Sequence, residues 1–411
     1  MRRVVVTGLG AITPVGKDIN SFWDSLTAGK HGIAPITRFD TTDYKAKLAA
    51  EVKDFSPADY YTDKSEMRRT DLFAQYAMGA AVQAMADSGI EGKIDGTRLG
   101  VYVGSGIGGM STFVSETLKL ESRGPGRVSP FFIPMMISNM AAGTIAIRFG
   151  AKGPTLPVVT ACATSSNTVG EAYRAVAHGY ADAILAGGSE ATVCPLAIAG
   201  FTNSMALCES SDPDRASIPF DAERCGFVMG EGAGMLLLEE YEHALARDAK
   251  IYAELVGYGN TCDAYHITAP HPEAEGAARA FALAIEQAGI TPDDKVYINA
   301  HGTSTPMNDR AETIAIKTAL GSAAENALVS STKSMTGHML GAAGAVEAIA
   351  SVLALHTGVL PPTVGYRVAD PECDLDYIPN QARRAEVGFA LSSSLGFGGH
   401  NACVVFKRWE G

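Results

Sequence analysis

No Cys-x-x-Cys pair occurs in this sequence, and its seven cysteines, at 162, 194, 208, 225, 262, 373 and 403, are odd in number and scattered. That spacing excludes the common zinc and dithiol frameworks, so reduced thiols are expected. Positive charge is also in short supply: 33 Lys and Arg against 45 Asp and Glu leave a formal net charge of −12. A nucleic-acid partner, which needs a concentrated basic face, is not expected on that balance. Long hydrophobic runs are missing too. Apolar stretches such as Ala345 to Leu355 are broken by Glu347 and fall short of the roughly 18 residues of a bilayer crossing. No membrane span is expected. Met1-Arg2-Arg3 runs straight into the strand-like Val4-Val5-Val6-Thr7-Gly8, with no leader-like apolar segment, and makes the cytoplasm the expected compartment.

What is present is a chain of 411 residues, 46% hydrophobic, long enough to bury a large core in two or three domains. Its 44 glycines exceed the average usage of about 7% and cluster after strand-like runs, as tight turns around a site require. Short β-branched runs recur between alanine-rich segments of helical length: Arg3 to Thr7, Leu99 to Val103, Leu156 to Ala161, Ala183 to Ala186 and Met235 to Leu238. A second set follows at Ile251 to Val256, Val296 to Asn299, Leu328 to Ser331, Phe389 to Ser392 and Ala402 to Phe406. Strands alternating with helices indicate an α/β architecture with buried sheets. The two sets suggest a duplication, divided near the charged stretch Glu239 to Lys250 into halves 1–250 and 251–411. Gly29 to Lys93, rich in charge and poor in strand signals, is expected to be an insertion outside the sheet core.

Cys162 stands in Val158-Val159-Thr160-Ala161-Cys162-Ala163-Thr164, at the predicted switch from buried strand to helix. There the unpaired N–H groups and the helix dipole would stabilise a thiolate and hold an oxyanion. Alone, the segment better fits a small buried cysteine in a core turn. His301 leaves the strand Val296–Asn299 into His301-Gly302-Thr303-Ser304-Thr305-Pro306, and His338 ends Lys333-Ser334-Met335-Thr336-Gly337-His338 after another strand. A histidine at a strand's exit suits a pocket, although either residue alone also fits a structural role. Glu347 interrupts an apolar helix, where a carboxylate needs a partner unless it faces solvent; Lys333 is the nearest candidate. Phe397 sits among glycines in Gly396-Phe397-Gly398-Gly399-His400-Asn401, free to swing or packed in an ordinary turn. Gly104-Ser105-Gly106-Ile107-Gly108-Gly109 matches the dinucleotide fingerprint. Pro125, Pro130 and Pro134 interrupt the strand that should follow, so the loop is read as a pocket wall.

With the cysteine segment, HGTSTP, KSMTGH and GFGGHN in this order across essentially the whole chain, the sequence resembles the β-ketoacyl-[acyl-carrier-protein] synthases, type II condensing enzymes of the thiolase-like superfamily. The resemblance implies two βαβαβαββ halves in a five-layered α-β-α-β-α core and a homodimer. It implies decarboxylative condensation of an acyl-enzyme with malonyl-[acyl-carrier-protein], elongating fatty acids by two carbons. Cys162 would be the nucleophile, His301 and His338 the pair serving decarboxylation and condensation, and Lys333, supported by Glu347, the residue ordering the His338 loop. The N–H groups of Cys162 and Phe397 would form the oxyanion hole, with Phe397 gating the acyl pocket. Thr303 and Thr305 would line the phosphopantetheine tunnel, Ile107 would touch the growing chain, and Gly398 would belong to the substrate-binding loop. No cofactor or metal is implied, because phosphopantetheine arrives on the carrier protein. Two departures stand out: His400 where many relatives have threonine, and Met205 where a basic docking residue is expected. Lys64, Arg68, Arg69, Arg123 and Arg127 remain docking candidates. A polyketide-type ketosynthase of the same fold is the alternative, with a non-catalytic chain-length-factor-like subunit behind it.

Overall fold

The computed structural model describes residues 1–411, and ten strands form its framework. The first five are β1 (Val4–Ile12), β2 (Leu99–Gly104), β3 (Thr155–Leu156), β4 (Ala183–Glu190) and β5 (Gly232–Glu240). The second five are β6 (Ala253–Cys262), β7 (Val296–Asn299), β8 (Leu328–Ser330), β9 (Phe389–Gly396) and β10 (His400–Arg408). The order in space is β3-β2-β4-β5-β1 followed by β6-β10-β9-β7-β8. Each half therefore arranges its own strands third, second, fourth, fifth, first, with the same parallel and antiparallel pairings. The duplication that residue identity barely hints at is explicit in this topology. The halves join where β1 and β6 pair antiparallel, Val4 opposite Leu255 and Val6 opposite Ala253.

Helices supply the remaining layers: α1 (Leu72–Ser88), α2 (Met140–Phe149), α3 (Thr164–Ala177), α4 (Glu275–Ala288), α5 (Pro306–Leu320) and α6 (Ala343–Thr357). The central core joins Val169 and Val176 of α3 and Ile349 and Val352 of α6 to inward residues of both halves, among them Val4, Leu236, Leu255 and Val404. A second core packs α1 and α2 on the outer face of the first half, and a third packs α4 and α5 on that of the second. This is the expected five-layered arrangement. Helix α6 with its preceding turn, Leu340–Thr357, is long and apolar enough by composition to cross a bilayer, but 89% of it is buried between the halves.

Two expectations need correction. Gly29 to Lys93 is not wholly peripheral, because its last third is α1, with Phe73, Ala77, Ala80 and Ala84 buried. An alanine-rich helix shows little amphipathic contrast, and here small residues serve close approach to β1. A Cβ added to Gly8 would lie 2.3 Å from the Ala84 carbonyl oxygen, and one on Gly10 2.0 Å from that of Ala80. The second half repeats the device: Cβ atoms on Gly257 and Gly259 would meet the Ala284 and Ala280 oxygens of α4 at 2.3 and 1.9 Å. The strand expected at Leu156 to Ala161 is also reduced, to the pair Thr155–Leu156 at the sheet edge, with Leu156 and Val159 about half exposed. Pro157 lacks the N–H needed to continue the ladder, and the chain reaches Cys162 as an irregular run.

Gly10→Ala and Gly259→Ala should each destabilise the fold by about 2–3 kcal/mol through overpacking. The check is the midpoint shift in chemical denaturation, and an unchanged midpoint would show that helix and strand can separate freely.

Candidate active site

Cys162 occupies a 3₁₀ turn, Ala161–Ala163, that runs into α3. The turn begins with Ala161 at φ +52°, a left-handed conformation costly for a residue with a Cβ. Side chains hold it: Thr160 donates its N–H to Thr164 Oγ1 at 2.9 Å, and Asn167 donates to Thr160 Oγ1 at 2.8 Å. The Tyr258 hydroxyl, from β6, donates to Asn167 Oδ1 at 2.7 Å.

His301 lies two residues beyond the end of β7. Its N–H and that of Gly302 both donate to the buried carboxylate of Glu312 at 2.7 Å, and the Ser393 hydroxyl donates there too. The loop is thereby tied to α5 and β9 at once. His338 follows the short helix Lys333–Thr336 and donates its N–H to the Val228 carbonyl at 2.7 Å. Phe397 rides on the turn between β9 and β10, where Gly398 and Gly399 take φ of +87° and +77°, values only glycine adopts without strain. Asn401 bonds to Asp263 at 2.7 Å, fastening that turn to the loop after β6.

These pieces converge on a cavity of about 360 Å³ whose walls include Cys162, His301, His338, Thr303, Thr305 and Phe397. The two imidazoles stand edge to face with centroids 5.2 Å apart. Phe227 presses against His338 at 5.1 Å, and Thr303 and Thr305 share a hydroxyl hydrogen bond of 2.9 Å. Behind the wall, Lys333 is buried, bonded to the buried Glu347 of α6, and its ammonium donates to His301 Nδ1 at 3.3 Å. With Nδ1 accepting, neutral His301 carries its proton on Nε2.

Burial, reinforced by the Lys333 charge, holds both histidines well below the usual imidazole range, so both are neutral near pH 7. The sulfur departs from expectation. Burial pushes the Cys162 thiol up to about 12, although Lys333 and the N–H groups of Phe397 and Cys162 itself pull it down. Desolvation outweighs the helix N-terminus, so the resting group is a thiol. The N–H groups of Cys162 and Phe397 nevertheless point at the reacting centre, where a developing oxyanion would use them.

Ile107 and Gly398 do not line this cavity. Ile107 is 38% exposed, because its loop is turned onto Glu190 with its N–H donating to that carboxylate at 3.3 Å. Gly398 faces outward, its N–H donating to the Ile267 carbonyl at 2.8 Å and its Cα side against the His400 ring. Met205 does line the cavity and is 88% exposed. Lys64, Arg68, Arg69, Arg123 and Arg127 are all exposed and lie outside it.

The thiols also need correction, because the structure joins Cys208 and Cys225 in a disulfide with Cα atoms 5.2 Å apart. Leu207 and Phe227 pair as neighbouring β-bridge residues, which brings the two cysteines together without a revealing sequence spacing. Sequence reading also missed Glu312 and Glu190. The signal for Glu190 was available, since Gly187-Gly188-Ser189-Glu190 ends a strand with a carboxylate that is fully buried.

Comparison with known proteins gives a consistent pattern. The family model described as "Beta-ketoacyl synthase, N-terminal domain" matches residues 1–244, and that described as "Beta-ketoacyl synthase, C-terminal domain" matches residues 252–367. The 3-oxoacyl-[acyl-carrier-protein] synthase 2 of Synechocystis sp. is 53% identical over 411 residues, covering 100% of this chain and 99% of its own. Among solved structures, a β-ketoacyl synthase from Burkholderia phymatum superposes with a TM-score of 0.92 at 35% identity, over 100% of both chains. The AntDE:AntF complex, a type II PKS acyl-carrier protein with its ketosynthase bound to the hexaketide, matches with a TM-score of 0.91 at 36% identity, over 100% of both chains.

A neutral thiol should make iodoacetamide alkylation of Cys162 rise about tenfold per pH unit between pH 7 and 9, read by peptide mass spectrometry. A rate already level below pH 8 would mean a thiolate at rest.

Proposed function

The chain belongs to the β-ketoacyl synthase family, and from that membership and its shared cavity we infer that it is a 3-oxoacyl-[acyl-carrier-protein] synthase of fatty-acid elongation. The observation that carries the reading is the meeting of one thiol, two neutral imidazoles and two main-chain N–H groups around a single cavity.

In the first half-reaction the Cys162 sulfur attacks an acyl thioester, and the oxyanion sits on the N–H groups of Cys162 and Phe397. Collapse leaves the acyl group on sulfur, and the proton from Cys162 ends on the departing pantetheine thiol. In the second, malonyl thioester loses CO2 and the electron pair moves onto the thioester oxygen. His301, through Nε2–H, and His338 donate to that enolate oxygen. Neutral donors stabilise charge that exists only as the bond breaks, and so lower the barrier without binding the ground state more tightly. The carbanion carbon then attacks the acyl group on Cys162, the C–S bond breaks, and a 3-oxo thioester two carbons longer is released; the Cys162 sulfur leaves as a thiolate and takes a proton from water to return to its resting thiol.

The partner in this reading is acyl carrier protein, which brings the phosphopantetheine, so the protein needs no cofactor of its own. The neighbour solved with an acyl-carrier protein supports that partner. A homodimer is part of the proposal: β3 is an edge strand, and the apolar Leu156 on it and Val159 just after it are exposed. A cytoplasmic setting is also part of the proposal, on the ground that Cys162 must stay a free thiol to act as nucleophile; the Cys208–Cys225 disulfide is the one feature that pulls the other way. The higher identity to a 3-oxoacyl-carrier synthase than to the polyketide ketosynthase favours fatty-acid over polyketide service.

Intact-mass analysis after mixing with acyl-carrier thioester should show one acyl adduct on Cys162, discharged by malonyl-carrier protein into a 3-oxo product. Cys162→Ala should lose the adduct and keep malonyl decarboxylation. His301→Ala should slow decarboxylation by about 10²–10³ while acylation changes less than tenfold. An adduct elsewhere, or one that malonyl thioester leaves in place, would refute the assignment.

A further inference from the structure

The glycine run Gly104 to Gly109 does not lie open to a phosphate; it is filled by a carboxylate of its own chain. Glu190, the last residue of β4, is fully buried. Its Oε1 accepts the Ser105 hydroxyl at 2.9 Å and the Ile107 N–H at 3.3 Å. Its Oε2 accepts the Gly106 N–H at 2.9 Å and the Gly341 N–H at 3.0 Å. Ser105 Oγ in turn accepts from the Gly108 N–H at 2.9 Å, closing the loop on itself. A Cβ on Gly106 or on Gly341 would lie 2.8 Å from Oε2, so these two positions must be glycine for both segments to reach the same oxygen.

Gly341 belongs to the turn Leu340–Ala342, separated from His338 by one residue and directly before α6. Leu340 takes φ +44° in that turn and packs in the same apolar cluster as Cys162. The carboxylate therefore joins the loop carrying Ile107 to the segment that positions His338, with the nucleophile between them. No cation pairs with Glu190, and its four donors are all neutral. The ionised form, acceptor on both oxygens, suits all four donors best. Burial raises this carboxyl to about 7, and those donors oppose the rise.

We propose that Glu190 is a positioning residue that locks the loop Ser105–Gly108, packed on the Cys162 turn beside Ala161 and Thr164, to the turn following His338, so that acylation of Cys162 and malonyl decarboxylation are set by one buried group. This rests on the condensing-enzyme reading above. Octanoyl-carrier protein reports acylation of Cys162, and malonyl-carrier protein alone reports decarboxylation, so each half-reaction can be followed separately.

Glu190→Gln keeps the shape but turns an amide NH2 toward N–H donors. It should lower both half-reactions at least tenfold, through kcat with KM for malonyl-carrier protein within twofold, in a protein that still unfolds in one transition. Ser105→Ala removes a bond on the Cys162 side only. It should slow octanoyl transfer at least threefold and leave decarboxylation within twofold. The proposal fails if Glu190→Gln leaves either half-reaction within twofold of wild type, or if Ser105→Ala slows both equally. Should Glu190→Gln not fold, the Ser105→Ala split alone decides. A wild-type protein inactive in both half-reactions would instead overturn the condensing-enzyme reading.

Discussion

A buried ammonium organises this protein. Lys333 is 1% exposed at its side chain and Glu347 2%, and removing such a charge from water costs several kcal/mol per ion before any partner is supplied. Glu347 supplies one partner from the central helix and His301 Nδ1 supplies another. Helix α6, the Lys333–His338 loop and the His301 loop therefore cannot move independently. The charge also acts at a distance, since it helps hold both imidazoles neutral and favours negative charge on Cys162.

The duplication explains how two halves supply one site. Cys162 lies in the β3–α3 connection, and Lys333 and His338 lie in the equivalent β8–α6 connection. His301 follows β7 as the glycine loop follows its counterpart β2, and Phe397 follows β9 as Glu190 ends β4. Because β2, β3 and β4 run parallel to one another, as do β7, β8 and β9, these connections gather beyond the carboxyl ends of the strands, where α/β sheets form crevices. The first half contributes nucleophile and loop, the second the imidazoles.

Much of this was legible because local pattern suffices for it. Short β-branched runs between alanine-rich stretches marked nearly every strand, and a lone carboxylate in an apolar helix called for Lys333. The rest depends on relations between distant segments. Glu190 meets Gly341 across 151 positions and Cys208 meets Cys225 across a bridge, and neither contact leaves a periodicity to read. The edge position of β3 and the low-contrast helix α1 were hidden for a related reason: burial on all sides, or on one side only, is decided by neighbours. The state of Cys162 was misjudged because a helix N-terminus is visible in sequence while depth of burial is not.

The central claim is that two uncharged imidazoles, held beside a buried ammonium, receive the charge of the enolate. ¹⁵N NMR of histidine-labelled protein, with resonances assigned through His301 and His338 variants, tests it directly between pH 5.5 and 8. Both rings should keep neutral-imidazole shifts throughout, with His301 as the Nε2–H tautomer. A His301 or His338 signal that titrates near pH 6.5, or a His301 proton on Nδ1, would contradict it.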